Sequence, residues 1–492
     1  MPLIADAYST SVRPALRGRF GAISAAHPLA VAAGQEMLTQ NGSAADAVVA
    51  AQAVLCVLTP DACGLGGDML ALVHAPGAAA QAINGSGCAP RRLRQAADDG
   101  PDSVTVPGIV DAWCALSRQY GRLPLSRALG PATRLAREGM RVSASLAGTL
   151  GRHRERLARG GGANWVLFDA RAGTLLAQPQ LAELLERIGA DGRAAFYEGE
   201  AARHIAASIA ALGGALDEQD LAAHSSVLAP PIESHWDELT LWTQPPMSQG
   251  ILLTMSVQAL ARLAAAGAPP TDHMAIELTN AAFAYREQVG VGAALLAHEL
   301  LIDLERASNR GGPRAYLHTA GVACADAQGM VLASLVSVFD DFGSCVFVPE
   351  LGITLNNRAG GFTTGDNAAA PGKRPVHTLA PALINTRQGV LALATPGADG
   401  QVQTLLQVLM GLQVEGLDLA TAIARPRWRS ENGGLLIEQR HARIDALASR
   451  GHRITRCADG EVRFGAVVSA GYLDAEPIAA ADWRRETAVG VV

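Results

Sequence analysis

The 492-residue chain sets 40 Lys/Arg against 46 Asp/Glu for a net charge of −6, and without a Lys/Arg block it argues against nucleic acid or an anionic membrane as partner. Apolar residues at 49%, 52 glycines and only 4% aromatics describe a tightly packed, alanine-rich globule and exclude disordered and fibrous classes. One large layered α/β core or two domains both fit this length, and the expected partner is a small molecule.

Helix signals come first in chain order. Ala30 to Gln40 and Ala44 to Leu58 predict two helices, with Asn41-Gly42 as the stop and Ser43 as the second N-cap. The run Ala47 to Leu58 is too short to span a bilayer, and residues 1 to 30 hold arginines but no apolar core with a cleavage site. A cytoplasmic protein is expected. Gly64-Leu-Gly-Gly67-Asp68 lacks the strand, GxGxxG and helix frame of a dinucleotide site and reads as a tight turn approached by other backbone. Residues 201 to 212 set Ile205, Ile209 and Leu212 on one helical face, Gly213-Gly214 ends that helix, and the next begins near Asp217. Asp272 to Tyr285 predicts an amphipathic helix, and Asn309-Arg-Gly-Gly-Pro313 a flexible polar bridge. Strands dominate afterwards, at Gly352 to Leu355, Gly389 to Ala394 and in the tail, with a helix near Gln401 to Leu412. Thr395-Pro-Gly397-Ala398-Asp-Gly400 joins strand to helix, either as an anion-binding turn of backbone N–H groups or as a plain turn.

Seven scattered cysteines without a CxxC pair read as reduced thiols, and the histidines show no HxxxH or HExxH spacing, so neither metal nor cofactor is expected.

The stretch from Thr319 to Arg358 carries the chemistry. Thr319 to Asp326 and Met330 to Val338 are β-like runs around a turn at Ala327-Gln328-Gly329. A hairpin centred on Gln328 sets Ser337 opposite Thr319, while Ser334 turns its hydroxyl to the other face. If the chain is cut before Thr319, one residue holds a hydroxyl nucleophile and an α-amine whose pKa of roughly 7.7 to 8 suits a general base.

A series of motifs runs through the chain: Ala25-Ala-His27-Pro, Asn41-Gly-Ser-Ala-Ala-Asp46, Gly64-Leu-Gly-Gly67, Ser103-Val-Thr-Val-Pro-Gly108 and Tyr120-Gly-Arg-Leu-Pro124. Pro245-Pro246-Met-Ser-Gln249-Gly250, Phe342-Gly-Ser344, Asn356-Asn357, Gly372-Lys-Arg-Pro375, Thr395-Pro-Gly397 and Ala424-Arg-Pro-Arg-Trp428 follow in order. From about His27 to about Arg485 the chain resembles the γ-glutamyltransferase family of N-terminal-nucleophile hydrolases. That resemblance implies an α/β (α+β) fold, a four-layer αββα sandwich, and autocatalytic cleavage between His318 and Thr319. It also implies a heterodimer of a large, helix-rich subunit (residues 1–318) and a small one (319–492). By the same resemblance Thr319 is the nucleophile that forms an acyl-enzyme, and Ser337 hydrogen-bonds it. The N–H groups of Gly397 and Ala398 form the oxyanion hole, and no cofactor is needed. Ala398 departs from the usual glycine; if the position requires positive φ, its β-carbon costs on the order of 1 kcal/mol.

Three further departures bear on substrate. Ser86 stands where γ-glutamyl-acting members hold the α-carboxylate with arginine, Gly361 where an acidic residue binds the amine, and His377-Thr378 where serines are paired. Arg358, where the family commonly has a neutral side chain, reads either as a guanidinium fork for a smaller acyl carboxylate or as a surface loop arginine. The pattern resembles the divergent branch that includes oxamate amidohydrolase, so hydrolysis of a small carboxylate-bearing amide is expected. A γ-glutamyl hydrolase or transferase is the alternative. An uncleaved scaffold is the other, because His318 is unusual before the scissile bond and Ala320-Gly321 replace a more polar pair.

Overall fold

The computed structural model describes residues 12–310 and 319–492. Residues 311–318, which hold His318 and most of the expected polar bridge, lie outside the described residues. Before them the chain supplies β1 (Leu16–Arg17), β2 (Gly21–Ala25), β3 (Asp68–His74), β4 (Gln81–Asn84), β5 (Val227–Ala229), β6 (Ile232–Trp236) and β7 (Leu239–Thr243). After them come β8 (Ala320–Asp326), β9 (Val331–Ser337), β10 (Ala382–Thr386), β11 (Gly389–Ala394), β12 (Val468–Leu473), β13 (Glu476–Ala481) and β14 (Ala488–Val491).

These strands form two seven-stranded sheets, ordered β14-β2-β8-β9-β3-β4-β5 and β1-β13-β12-β11-β10-β7-β6. The sequence predicts strands mainly after Thr319, yet the first part of the chain supplies seven of these fourteen. Continuous apolar runs such as Met69 to Val73 carry no alternation, because both faces of the strand are buried.

Alternation along the β8–β9 hairpin divides two cores. Ala323, Ala325, Ala333 and Leu335 face the second sheet, packing with Ala392, Ala394 and Val468. Val322, Cys324, Leu332 and Val336 face outward into a core shared with α1 (Pro28–Thr39) and α2 (Ala44–Leu58). Ser334, on that outward face, accepts from Gln52 Nε2 at 2.7 Å, and Gln52 Oε1 accepts from Trp113 Nε1 at 2.8 Å. The polar interruption in α2 is thereby satisfied. On the far side, α3 (Gly250–Ala265), α4 (Asp272–Phe283) and α5 (Gly400–Gln413) cover the second sheet, completing an αββα sandwich.

Ser43 caps α2 in a capping box with Asp46, as its sequence predicts. Two helix expectations change. Every residue of α4 is buried, because α3, α5 and a small sheet (Trp428–Glu431, Gly434–Glu438, Ile454–Cys457) leave it no solvent face. Leu212 is 39% exposed, since the helix stops at Ala211 before its side chain reaches the buried stripe. No described helix is long and apolar enough to cross a membrane.

Candidate active site

At one end of the inter-sheet layer the strand registers line up four polar side chains. Ala320 faces Val336, Ser337 faces Asp68, and Leu70 faces Asn84. One further step of the first ladder sets Thr319 across from Ser337, and two further steps of the last set Ser86 across from Asp68. Directly opposed residues of antiparallel strands share a face, and neighbours lie about 5 Å apart. The shared face here is the one on which Ala323, Leu335, Leu70 and Ala82 meet the other sheet. All four members of the row are buried.

Close backbone packing fixes Asp68 in this row. A β-carbon on Gly66 would lie 2.1 Å from the Thr354 carbonyl oxygen, and one on Gly67 2.5 Å from that of Ser337, so Gly64 to Gly67 is the closely approached turn its composition predicts. Asn356 braces it, donating from Nδ2 to the Gly66 and Thr105 carbonyls at 3.0 Å each. Its Oδ1 accepts from the Arg358 amide at 3.0 Å.

Arg358 is fully buried, which overturns the surface-arginine reading. Its Nε donates to Asp68 Oδ2 at 3.1 Å, Nη1 reaches Thr378 Oγ1 at 3.5 Å, and the guanidinium lies 4.4 Å from the Phe339 ring centroid. Among the described residues Arg358 Nη2 and Asp68 Oδ1 have no hydrogen-bond partner. His377 Nδ1 accepts from the Leu379 amide at 3.2 Å, so the proton of the neutral ring sits on Nε2 and is donated to Asp68 Oδ2 at 3.2 Å. Burial, reinforced by the Arg358 charge, pushes the His377 imidazole down to about 4. Burial opposes the Asp68 carboxylate, but His377 and Arg358 outweigh it and hold its pKa below the ordinary value. The cluster thus combines a carboxylate, a guanidinium and a neutral imidazole.

The second sheet brings its own turn to the same end. A β-carbon on Gly321 would lie 3.5 Å from Ala394 Cβ and 3.0 Å from Val468, so the chain beside Thr319 is pressed against the end of β11. Gly321 is explained by this contact. After β11, Gly397 (φ 130°) and Ala398 (φ 47°) turn the chain into α5, so Ala398 carries the left-handed strain expected of it. Among the described residues neither of their amides donates a hydrogen bond. Gln249 Nε2 donates to Thr378 O at 2.7 Å and to Ala398 O at 2.9 Å, tying this turn to the His377-Thr378 segment.

Of the residues singled out in sequence, Arg358, His377 and Thr378 come together around Asp68, and the pairing register carries Thr319 and Ser337 beside them. Ser86 shares the row, but its hydroxyl is committed to Asn84 Oδ1 at 2.6 Å. A β-carbon at Gly361 would stand 3.1 Å from Val376 O, leaving little room for an acidic side chain. Asp68 and Gln249 were missed as site residues. Both stand inside motifs already noted, yet only strand pairing and burial single them out.

The family model described as Gamma-glutamyltranspeptidase matches residues 30–492. The chain is 32% identical to the oxamate amidohydrolase proenzyme of Klebsiella pneumoniae subsp. pneumoniae over 485 residues, 89% of this chain and 92% of that protein. It is 30% identical to a glutathione hydrolase-like proenzyme of Bacillus subtilis, again over 89% of this chain and 92% of the relative. Among solved structures it resembles cephalosporin acylase from Bacillus halodurans at 27% identity and a TM-score of 0.89, covering 100% of this chain and 99% of that one. The αββα sandwich, the motif series and these matches agree: the chain belongs to the γ-glutamyltranspeptidase family and is an amide-bond hydrolase.

Proposed function

We propose that the chain is cut between His318 and Thr319, giving subunits 1–318 and 319–492, and that Thr319 then hydrolyses a small carboxylate-bearing amide, oxamate first among candidates. The observation that carries this reading is that Nη2 of buried Arg358, beside the Thr319–Ser337–Asp68 row, has no partner among the described residues. A buried guanidinium left incomplete costs free energy unless a ligand carboxylate completes it.

The steps follow from the chemistry of an N-terminal threonine. The α-amine takes the Oγ proton as Oγ adds to the amide carbonyl, with Ser337 orienting the nucleophile. The oxyanion is received by the Gly397 and Ala398 amides. Collapse breaks the C–N bond, the proton leaves with the amine, and an ester on Thr319 remains. Water, deprotonated by the same amine, cleaves that ester and restores Thr319. With oxamate the products are ammonia and oxalate. Its carboxylate is bonded directly to the reacting carbon, so an arginine holding that carboxylate also aims the carbonyl.

Unpartnered Asp68 Oδ1 supports a second reading: beside Arg358 it offers an acceptor for the ammonium of an amino-carboxylate, hence a γ-glutamyl substrate. Gel electrophoresis of the purified protein is expected to show two fragments meeting at His318 and Thr319. Thr319→Ala should stay one chain and release no ammonia from oxamate. Turnover of a γ-glutamyl anilide with none of oxamate would favour the second reading, and a permanent, inert single chain would sink both.

A further inference from the structure

Away from the Thr319 row, α4 and the C-terminal small sheet bury a second set of ligand-type side chains. His273 and Glu277 stand one turn apart on α4, and His452 lies just before the strand Ile454–Cys457. All three are buried, and one ligand atom from each lies within 4.8 Å of the others. His273 Nδ1 is 2.8 Å from His452 Nε2.

The hydrogen bonds around this set turn a lone pair of His273 inward. His273 Nε2 lies 2.9 Å from the Asp303 carbonyl oxygen, which only accepts, so Nε2 carries the proton, and the Nδ1 lone pair accepts from His452 Nε2–H, a proton that a metal entering between the two rings would displace to His452 Nδ1 or to solvent. An imidazole fixed through its far nitrogen by a backbone carbonyl is the arrangement of metal-ligating histidines. Glu277 Oε2 accepts from the Ser308 amide at 3.2 Å, whereas its Oε1, buried in a residue 1% exposed, has no partner among the described residues. Asn280 Oδ1, one turn further along α4, is also buried and has no partner among the described residues.

We propose that His273 Nδ1, His452 Nε2 and Glu277 Oε1 bind one divalent transition metal of the Zn²⁺ class, with Asn280 Oδ1 or water completing the shell. Two imidazoles and a carboxylate suit Zn²⁺ and Co²⁺ better than Ca²⁺ or Mg²⁺, which prefer all-oxygen sets. Two of these groups also hold the chain near the end of the described stretch before Thr319: Asp303 bonds to His273 and Ser308 to Glu277, while Asn309 Nδ2 donates to Gly451 O, next to His452, at 3.0 Å. Metal therefore anchors residues 303–309, which precede the cut proposed above.

The test uses the full-length protein, stripped with a chelator and titrated with Zn²⁺ by calorimetry and metal analysis, then with Co²⁺ by visible spectroscopy. One Zn²⁺ per chain, a raised Tm and slower tryptic cutting after Arg306 and Arg310 are expected. Glu277→Gln and His452→Gln should each weaken binding by more than the roughly 10- to 100-fold that loss of an outer partner costs. If a variant fails to fold, the zinc-dependent Tm and trypsin protection of the wild-type chain still decide. Folded wild-type protein that takes up no metal, or folded variants that bind it as tightly as wild type, would overturn the proposal.

Discussion

Asp68–Arg358–His377 and Arg427–Glu438–Asp482–Arg484 are both buried charge clusters, and they differ in how completely their atoms are satisfied. Arg484 donates from Nε and Nη2 to Glu438 at 3.0 and 2.6 Å and from Nη1 to Asp482 at 3.0 Å, with Nη2 also on the Arg425 carbonyl at 2.8 Å. Arg427 donates from Nη2 to Asp482 at 2.6 Å and from Nη1 to Phe464 O at 2.8 Å, leaving only Nε without a partner among the described residues. This cluster pins the Ala424-Arg-Pro-Arg-Trp428 motif to the chain beyond β13. In the first cluster the atoms without a partner among the described residues are a terminal guanidinium nitrogen and a carboxylate oxygen, the ones the proposed substrate would complete. A buried charge completed largely by protein groups serves the scaffold, and an open one is where the proposed substrate contact is tested.

Breaking each cluster should therefore read out differently. Arg484→Met, which strips Glu438 of its main partner and Asp482 of one of its two arginines, should lower unfolding free energy by about 3–5 kcal/mol in denaturant titration, with kcat per folded molecule nearly unchanged. Arg358→Met should do the reverse. Loss of a charged hydrogen bond worth roughly 1.5–3 kcal/mol lowers kcat/KM on a carboxylate-bearing amide by roughly 10- to 100-fold, while stability falls less because Asp68 keeps His377. Equal stability losses with unchanged turnover in both variants would erase the distinction.

Acid provides a sharper contrast. His377 sits at about 4 in the folded chain against an ordinary 6.5, so the unfolded chain binds more protons between those values. Its contribution is complete above about pH 6.5 and declines by about 2 kcal/mol from pH 7 to pH 5. Asp482 is held below its ordinary value and loses nothing in that window. His224 and His452 are also pushed down to about 4 by burial and add to the wild-type slope, so it is the difference in denaturation midpoints between wild type and His377→Gln that should follow this decline. The smallest effect belongs to the turn facing the cluster: Ala398→Gly relieves the positive φ and should stabilise by up to about 1 kcal/mol, read as a raised denaturation midpoint.

The sequence by itself determined much that is local. The β8–β9 hairpin follows from two β-like runs around Gln328, the start of α2 from Ser43 and Asp46, and β11 from a bounded apolar run; neighbouring residues fix each. The motif series likewise carried the family and its αββα sandwich. Tertiary structure decided the rest. Asp68 joins Ser337 only through pairing between strands far apart in sequence, and Arg358 changes from a loop arginine to a buried fork only when Phe339, Thr378 and Asp68 close around it. His452 meets His273 and Glu277 by the same kind of long-range packing. Periodicity and capping are written in adjacent residues, whereas burial and cross-strand register arise only when distant segments exclude water together.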